Sequence, residues 1–587
     1  HNVPSDAAKR TPLACQACRR RKTKCDSGYP CTTCADSGEA CVRKTSSVQL
    51  VVQCARSWSE KLIGEEMNPP LGNKKNATEL ISTAEFITAQ VKATDFDHFH
   101  QAWPWIYVPT FAPDKQNTLL TSALANLFIW MQNANHHHFV PDAINQRLTL
   151  AFMPKAMGNT LTGKPADVPL QTLQALVTIL TYAILNEAQT TTLTWVAQWT
   201  DIFISTFRRI RALDNRWPLE GQQQSNEECW VLKEQMKRLV YTVLRIDTYL
   251  SLILDRPPTM RYQEIELPLP VSEDIWRAEK MEAGARLHWH GPTGLRCAFS
   301  TVIRDGLERQ FSETGYIQMP HLSLEHENLR LCAFLSELWG ISREAQNEQH
   351  LNYLSPKMNR TSARVKLWKG YLHNWWVHIG NTDKLEDSFF ADAPADWHPF
   401  LGLNLTLYHL LCLKMFANLR MLEFNKCSIY CREADIDNAT TTWAQSTDGR
   451  QAVYHAVQLK CIYEREKMLY NLNNHQVSNV LWPIGLLTSA IVLCVYIKVS
   501  GVAEGDAMIT SGETIELTQS RLVDTPEFDH WISEGGMATM DGVPLYAFSV
   551  PLFSSWYQEQ LKTSPLYSSR LASFLLTLKI SYSCSTN

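Results

Sequence analysis

From about Thr83 to Val499 apolar residues recur at intervals of three and four, and Pro and Gly fall mostly in the gaps between such runs. That period is the signature of helices with one face turned inward. Leu239, Val243, Ile246, Leu250 and Ile253 form one such stripe. Strand–helix alternation of the kind that builds a parallel sheet is not visible, so the pattern predicts a mainly α protein. The longest apolar stretch, Val480 to Ile497 ("VLWPIGLLTSAIVLCVYI"), approaches the length of a membrane span. Pro483, Gly485, Thr488 and Ser489 interrupt it, which favours a buried core helix.

At both ends the pattern breaks. Val48, Val51, Ala55, Trp58 and Leu62 keep heptad spacing over only two heptads, a short candidate dimer seam. Between Gly501 and Pro544 nine acidic residues face one cation, Arg521, with Phe528 and Trp531 interleaved. A solvated acidic loop is the first expectation there. Acidic–aromatic mixtures also serve as activation segments that order on a coactivator.

Composition adds that 45% apolar residues are ample for large cores. Charge is more telling. Residues 1–45 hold nine Lys and Arg against four Asp and Glu, whereas the remainder holds 46 against 55. A basic head on an acidic body points to an anionic partner for the head.

That head also concentrates sulfur. "ACQACRRRKTKCDSGYPCTTCADSGEAC", residues 14–41, contains six of the sixteen cysteines, spaced as C-x2-C-x6-C written twice with a five-residue connector. Each C-x2-C places two sulfurs on one turn, and zinc takes four thiolates in a tetrahedron. Six cysteines fill two such sites if one sulfur of each repeat is shared. Three disulfides, in any of 15 pairings, are the competing arrangement and need an oxidising compartment. The opening residues contain no secretory apolar run, and the other ten cysteines are scattered. The expectation is therefore a reduced, intracellular metal cluster.

This segment resembles the DNA-binding domain of the fungal Zn2Cys6 binuclear-cluster transcription factors. It matches at Cys15, Cys18, Cys25, Cys31, Cys34 and Cys41, at the basic run after the second cysteine, and at Pro30. The resemblance implies two Zn2+ ions bridged by Cys15 and Cys31. One ion would take Cys15, Cys18, Cys25 and Cys31; the other would take Cys31, Cys34, Cys41 and Cys15. Arg19, Arg20, Arg21, Lys22 and Lys24 are expected on a short helix between Cys18 and Cys25. By resemblance Arg21 and Lys22 take the base-reading positions for a CGG triplet, with Arg19, Arg20 and Lys24 left for phosphates. The family usually carries Lys where Arg21 stands, which alters reach at that position.

Two stretches of the body resemble the fungal transcription factor regulatory domain. "FDHFHQAWPWIYVPTF" (Phe96–Phe111) resembles its opening, an aromatic helix ended by prolines. "YTVLRIDTYLSLILDRPPTMRYQEIELPLP" (Tyr241–Pro270) resembles its helix, Arg-Pro-Pro turn and Leu-Pro. The expected division is a tail (1–14), the cluster (15–41), a linker with a short dimerisation segment (42–82) and an all-α regulatory domain (83–400). A helical extension (401–500), the acidic segment (501–544) and a C-terminal tail (545–587) complete it.

The expectation is a nuclear, sequence-specific regulator of a metabolic or secondary-metabolite gene cluster, and no enzyme. Its expected partners are double-stranded DNA, a second copy of itself, coactivators and a small-molecule effector. The alternative, a helical enzyme or ligand-binding protein tethered to chromatin by the head, needs a catalytic constellation. "GNTLTGKP" (Gly158–Pro165) lacks the hydroxyl residue of a phosphate loop, and "HENLR" (His326–Arg330) lacks the second His of a zinc protease.

Overall fold

The computed structural model describes residues 16–23, 32–37, 100, 102–107, 118–132, 145, 169–186, 190–214, 226–277, 297–309, 322–351, 360–380, 399–423, 433–473, 479–500, 514–519 and 525–584. The candidate dimer seam at 48–62 lies outside them. The chain divides into two compact units, one of residues 1–96 and 112–152, the other of residues 97–111 and 153–587.

In the first unit, α1 (Gln16–Arg21) and α2 (Thr32–Ser37) touch each other. A third helix, α3 (Thr118–Gln132), buries Leu120, Leu124, Leu127 and Trp130 on one face.

The second unit is built of helices that pack in succession. Helices α4 (Leu170–Leu185), α5 (Thr190–Arg209) and α6 (Asn226–Ile253) contact one another. The predicted stripe Leu239, Val243, Ile246, Leu250 and Ile253 is buried on α6. The stripe understates the helix, because every residue from Arg238 to Ile253 is buried. Its small hydroxyl residues turn back on their own backbone: Thr242 Oγ1 donates to the Arg238 carbonyl at 2.9 Å, Thr248 to Leu244 at 2.8 Å, and Ser251 to Asp247 at 2.9 Å. No donor is left unpaired by these three residues.

After α6 come the short α7 (Glu273–Arg277), then α8 (Phe299–Arg309), α9 (Leu324–Leu351) and α10 (Arg360–Gly380). Helix α9 packs on α6, α10 and α11 (Pro399–Phe416). Helix α12 (Leu419–Glu423) leads to α13 (Glu433–Gln445), α14 (Thr447–Asn473) and α15 (Trp482–Ser500), and α14 lies between α11 and α15. Leu401, Leu405 and Ile462 form one buried cluster against which Leu324 and Trp376 pack. A core therefore runs straight across position 400, where the sequence placed a boundary.

Helix α15 is the apolar run. By length and composition it could cross a membrane, but its 18-residue window is 83% buried inside the fold. Pro483 does not interrupt it. The ring sits in the first turn, where a missing N–H costs no helical bond. Ser489 Oγ donates to the Ala456 carbonyl of α14 at 2.6 Å and Thr488 Oγ1 to the Ile484 carbonyl of its own helix at 2.7 Å, so neither hydroxyl breaks this one.

The acidic stretch is not a loop where it is described. β1 (Ile515–Glu516) pairs in parallel with β2 (Ala538–Met540), which pairs antiparallel with β3 (Val543–Pro544), and α16 (Pro526–Glu534) lies between β1 and β2 in the chain. Phe528 and Trp531 are buried at 2% and 3% exposure. Helix α14 fastens the segment through successive turns. Arg450 donates to the Ile532 and Ser533 carbonyls at 2.8 and 3.0 Å, Tyr454 meets the Phe528 ring edge-on, and Gln458 Nε2 donates to the Leu517 carbonyl at 2.8 Å. The aromatics an activation segment would present are thus core residues here. The expected C-terminal tail is also structured: α17 (Val550–Gln560) and α18 (Pro565–Cys584) both pack on α15.

Candidate nucleic-acid interface

The two C-x2-C repeats become two equivalent helices. α1 begins one residue after Cys15 and α2 one residue after Cys31, so Cys18 and Cys34 are each the third residue of a six-residue helix. Both are buried at 1% exposure. Helices this short do not persist on their own. Among the described side chains of these two helices, Ala17, Cys18 and Cys34 are the buried ones. An apolar core of that size cannot hold a fold, and thiol donors facing inward are what a structural zinc site supplies in its place. The residues present fit the metal. Cys15, Cys25, Cys31 and Cys41 lie outside the described residues.

The basic helix differs from the expected one. It spans Gln16–Arg21 and contains Cys18, rather than filling the interval between Cys18 and Cys25. Its end explains why. Lys22 adopts φ = 55°, and the Thr23 amide donates to the Cys18 carbonyl at 3.0 Å. This is the six-to-one bond of a Schellman cap, with Lys22 at the left-handed position that glycine usually fills. The turn ends the helix after Arg21 and leaves Arg20, Arg21 and Lys22 exposed. Two consecutive arginines on the last turn and a lysine beyond it also complement the negative end of the helix. Arg19 lies on the α1 backbone, and Lys24 lies outside the described residues.

In the body, the two stretches that resemble a regulatory domain meet. Arg245 donates from Nη1 to the Ala102 carbonyl at 2.6 Å, and its guanidinium lies over the rings of Trp103 at 4.1 Å and Phe400 at 4.6 Å. Arg238 donates to the Val271 carbonyl at 2.6 Å and covers Trp276 at 4.7 Å. Residues 103–107 are non-helical and buried. These buried cations tie distant chain segments together, and the arrangement is architectural. His100 is buried with its Nε2 2.7 Å from the Ile106 carbonyl oxygen. His326 is likewise occupied, with Nε2 3.0 Å from the Pro270 carbonyl oxygen, and burial pushes its imidazole down to about 4.

Sequence reasoning missed the charged partners. Asp247 stands on α6 with no exposure and is reached by Arg256, and Asp255 collects Arg343, Lys414 and Arg420 from three other helices. Sequence separations of 88 to 165 residues hide that convergence from any local pattern.

Comparison with known proteins agrees with both halves. Residues 13–49 match the fungal Zn(2)-Cys(6) binuclear cluster domain, which holds two zinc ions, and residues 96–370 match the fungal specific transcription factor domain. These are domains of regulators rather than of enzymes. An uncharacterized transcriptional regulatory protein of Schizosaccharomyces pombe is 36% identical over 124 residues, 20% of this chain and 22% of that protein. The C6 finger domain transcription factor adaR of Aspergillus niger is 50% identical over 42 residues, 7% of this chain and 5% of its own. The chain thus spans about a fifth or less of the length of these relatives. No solved structure matches it.

Proposed function

Because the chain belongs to the fungal Zn2Cys6 transcription factors that carry a fungal-specific regulatory domain, we propose that it binds DNA sequence-specifically and regulates transcription in the nucleus. The observation that carries this reading is the Schellman end of α1. It seats Cys18 inside while Arg20, Arg21 and Lys22 project outward within one turn. Cys15, Cys18, Cys25, Cys31, Cys34 and Cys41 would hold the two zinc ions, and thiolate coordination would supply the folding energy that the head's small core lacks. Arg21 and Lys22 then offer donors to guanine O6 and N7 in the major groove. Arg19, Arg20 and Lys24 meet phosphates, which set register and supply salt-sensitive affinity.

A CGG triplet recurs about once per 64 positions by chance, too often to specify a gene against genomic competition. A second half-site, read by a second copy of the chain, resolves that. The helical body receives a small effector or a coactivator, and the genes controlled form a metabolic or secondary-metabolite cluster.

Selection of bound sequences from random DNA by the full zinc-loaded chain tests the reading. Enrichment of paired CGG triplets is the expected result. An unenriched pool, or the same enrichment from a Cys18→Ser protein, overturns it.

A further inference from the structure

Thr23 stands one residue beyond the left-handed Lys22 that ends α1. Its backbone is non-helical and its side chain is exposed, as are Arg20, Arg21 and Lys22 before it. The run Arg20-Arg21-Lys22-Thr23 thus puts guanidinium groups three and two places ahead of a solvent-facing hydroxyl. The Thr23 amide donates to the Cys18 carbonyl at 3.0 Å, so the cap fixes where the residue lies without using its hydroxyl.

Three other hydroxyl residues among the described ones follow an arginine at the same third place, and each is tied into the fold. Thr248, behind Arg245, is buried and donates to the Leu244 carbonyl at 2.8 Å. Thr259, behind Arg256, donates to Asp201 Oδ1 at 2.6 Å, while Arg256 is held by Asp201 and Asp247. Ser573, behind Arg570, lies within α18, and Glu423 accepts from Arg570 at 2.8 and 2.9 Å. Of these four, Thr23 alone sets an exposed hydroxyl outside a helix behind exposed cations.

We propose that Thr23 is a phosphorylation site for a protein kinase with an acidic substrate groove, and that phosphate there switches the head off DNA. The Thr23 oxygen attacks the γ-phosphorus of ATP. An Oγ1–P bond forms, the bond to the β,γ-bridging oxygen breaks, ADP leaves, and the hydroxyl proton passes to the kinase's base. Seating Arg20 and Arg21 in such a groove requires only the last turn of α1 to open, and a six-residue helix is marginal on its own. The product brings a charge of about −1.5 to −2 and three acceptor oxygens to the end of the basic run. Those oxygens pair with the cations that otherwise meet bases and phosphates, and their charge repels the duplex. The inference rests on the reading of the head as the DNA-binding surface.

The full zinc-loaded chain is treated with MgATP and the catalytic subunit of cyclic-AMP-dependent protein kinase, with and without the duplex selected from random DNA, and modified residues are mapped by mass spectrometry. Phosphate on Thr23 of the free chain is expected, at least tenfold less of it when the duplex is bound, and no change in zinc content. The phosphorylated chain should bind the duplex at least tenfold more weakly. Its slope of log affinity against log salt should be shallower by about two, one for each phosphate contact given up. Thr23→Val keeps the amide and lacks the hydroxyl, so it should bind DNA as the parent does and keep that affinity after kinase treatment. No phosphate on Thr23, equal affinities of the two forms, zinc loss on phosphorylation, or an equal loss of binding in kinase-treated Thr23→Val overturns the proposal. Mapping on the free chain needs no DNA, so a missing phosphate strikes this proposal alone. An unmodified chain that selects no duplex overturns the reading of the head, and the switch with it.

Discussion

Arg256 donates from Nη2 to Asp247 Oδ1 at 2.6 Å, across the turn that ends α6, and from Nη1 to Asp201 Oδ1 on α5 at 2.8 Å. The same Asp247 carboxylate accepts from the backbone amides of Thr259 and Met260 at 2.7 and 2.8 Å. One buried acid thus organises the whole Arg-Pro-Pro turn. The Arg256 guanidinium is committed to both the Asp247 and the Asp201 carboxylates. Arg256→Ala leaves Asp247 buried without its cation, a loss of about 3–5 kcal/mol. Arg256→Lys recovers only part of it, since one ammonium cannot span both acids. Urea unfolding of the three proteins checks the order.

Glu466 on α14 is fully buried, and its Oε2 accepts from Asn479 Nδ2 at 3.1 Å and from Trp482 Nε1. Burial pushes its carboxyl from the ordinary 4.5 up to about 8. Between those values the folded chain keeps a proton that the unfolded chain has released. This group's contribution therefore falls as pH rises from about 4.5 to about 8, then levels off. Glu466→Gln keeps the accepting oxygen and cannot ionise, so it should flatten the decline by up to ~1.4 kcal/mol per pH unit. Urea midpoints at pH 5 and pH 8 decide; parallel changes in both proteins count against a buried neutral acid.

Gly402 on α11 is the space into which Glu466 fits. A Cβ there would lie 1.8 Å from Glu466 Oε1. Gly402→Ala should cost about 1–3 kcal/mol or more, the usual range for overpacking. A double change with Glu466→Ala should cost less than the two single changes added together. Strict additivity in a thermal-unfolding cycle would show that the two positions do not compete for the same volume.

Lys22 holds a left-handed backbone that costs an L-residue about 1–2 kcal/mol. Lys22→Gly removes that cost together with the cation. Zinc content should be unchanged and DNA affinity reduced, a separation that native mass spectrometry and a binding titration can measure on one sample. Arg21→Ala should cost about 1–3 kcal/mol on the selected site and less on scrambled DNA. Equal losses on both would assign Arg21 to phosphates.

What could be read from the chain was whatever repeats locally. The α6 stripe and the cysteine spacing follow from short-range periods, and the burial of α15 from the polar residues within its apolar run. Charges that meet only in three dimensions could not be read, and Arg245 over Trp103 or the trio around Asp255 are such cases. The acidic segment was misjudged for another reason. Met540-Asp541-Gly542-Val543 carries a two-residue hairpin signal, and Asp541 and Gly542 do take φ of 54° and 72°. Counting acids over that stretch masked the turn. Glu516, one of those acids, accepts from the Thr539 hydroxyl and the Gly542 amide at 2.8 and 2.9 Å, so its charge belongs to the small sheet.

The paired registers of α1 and α2 have one more implication. Two helices set out from matching cysteines, but the positions that hold Arg19, Arg20 and Arg21 in the first hold Ala35, Asp36 and Ser37 in the second. The two repeats share a register of sulfur but not of charge: three cations follow Cys18, and a single acid, Asp36, lies in the corresponding stretch after Cys34. A polyanion meeting them has one attractive side and one repulsive side, so each head can land on a duplex in a single polarity.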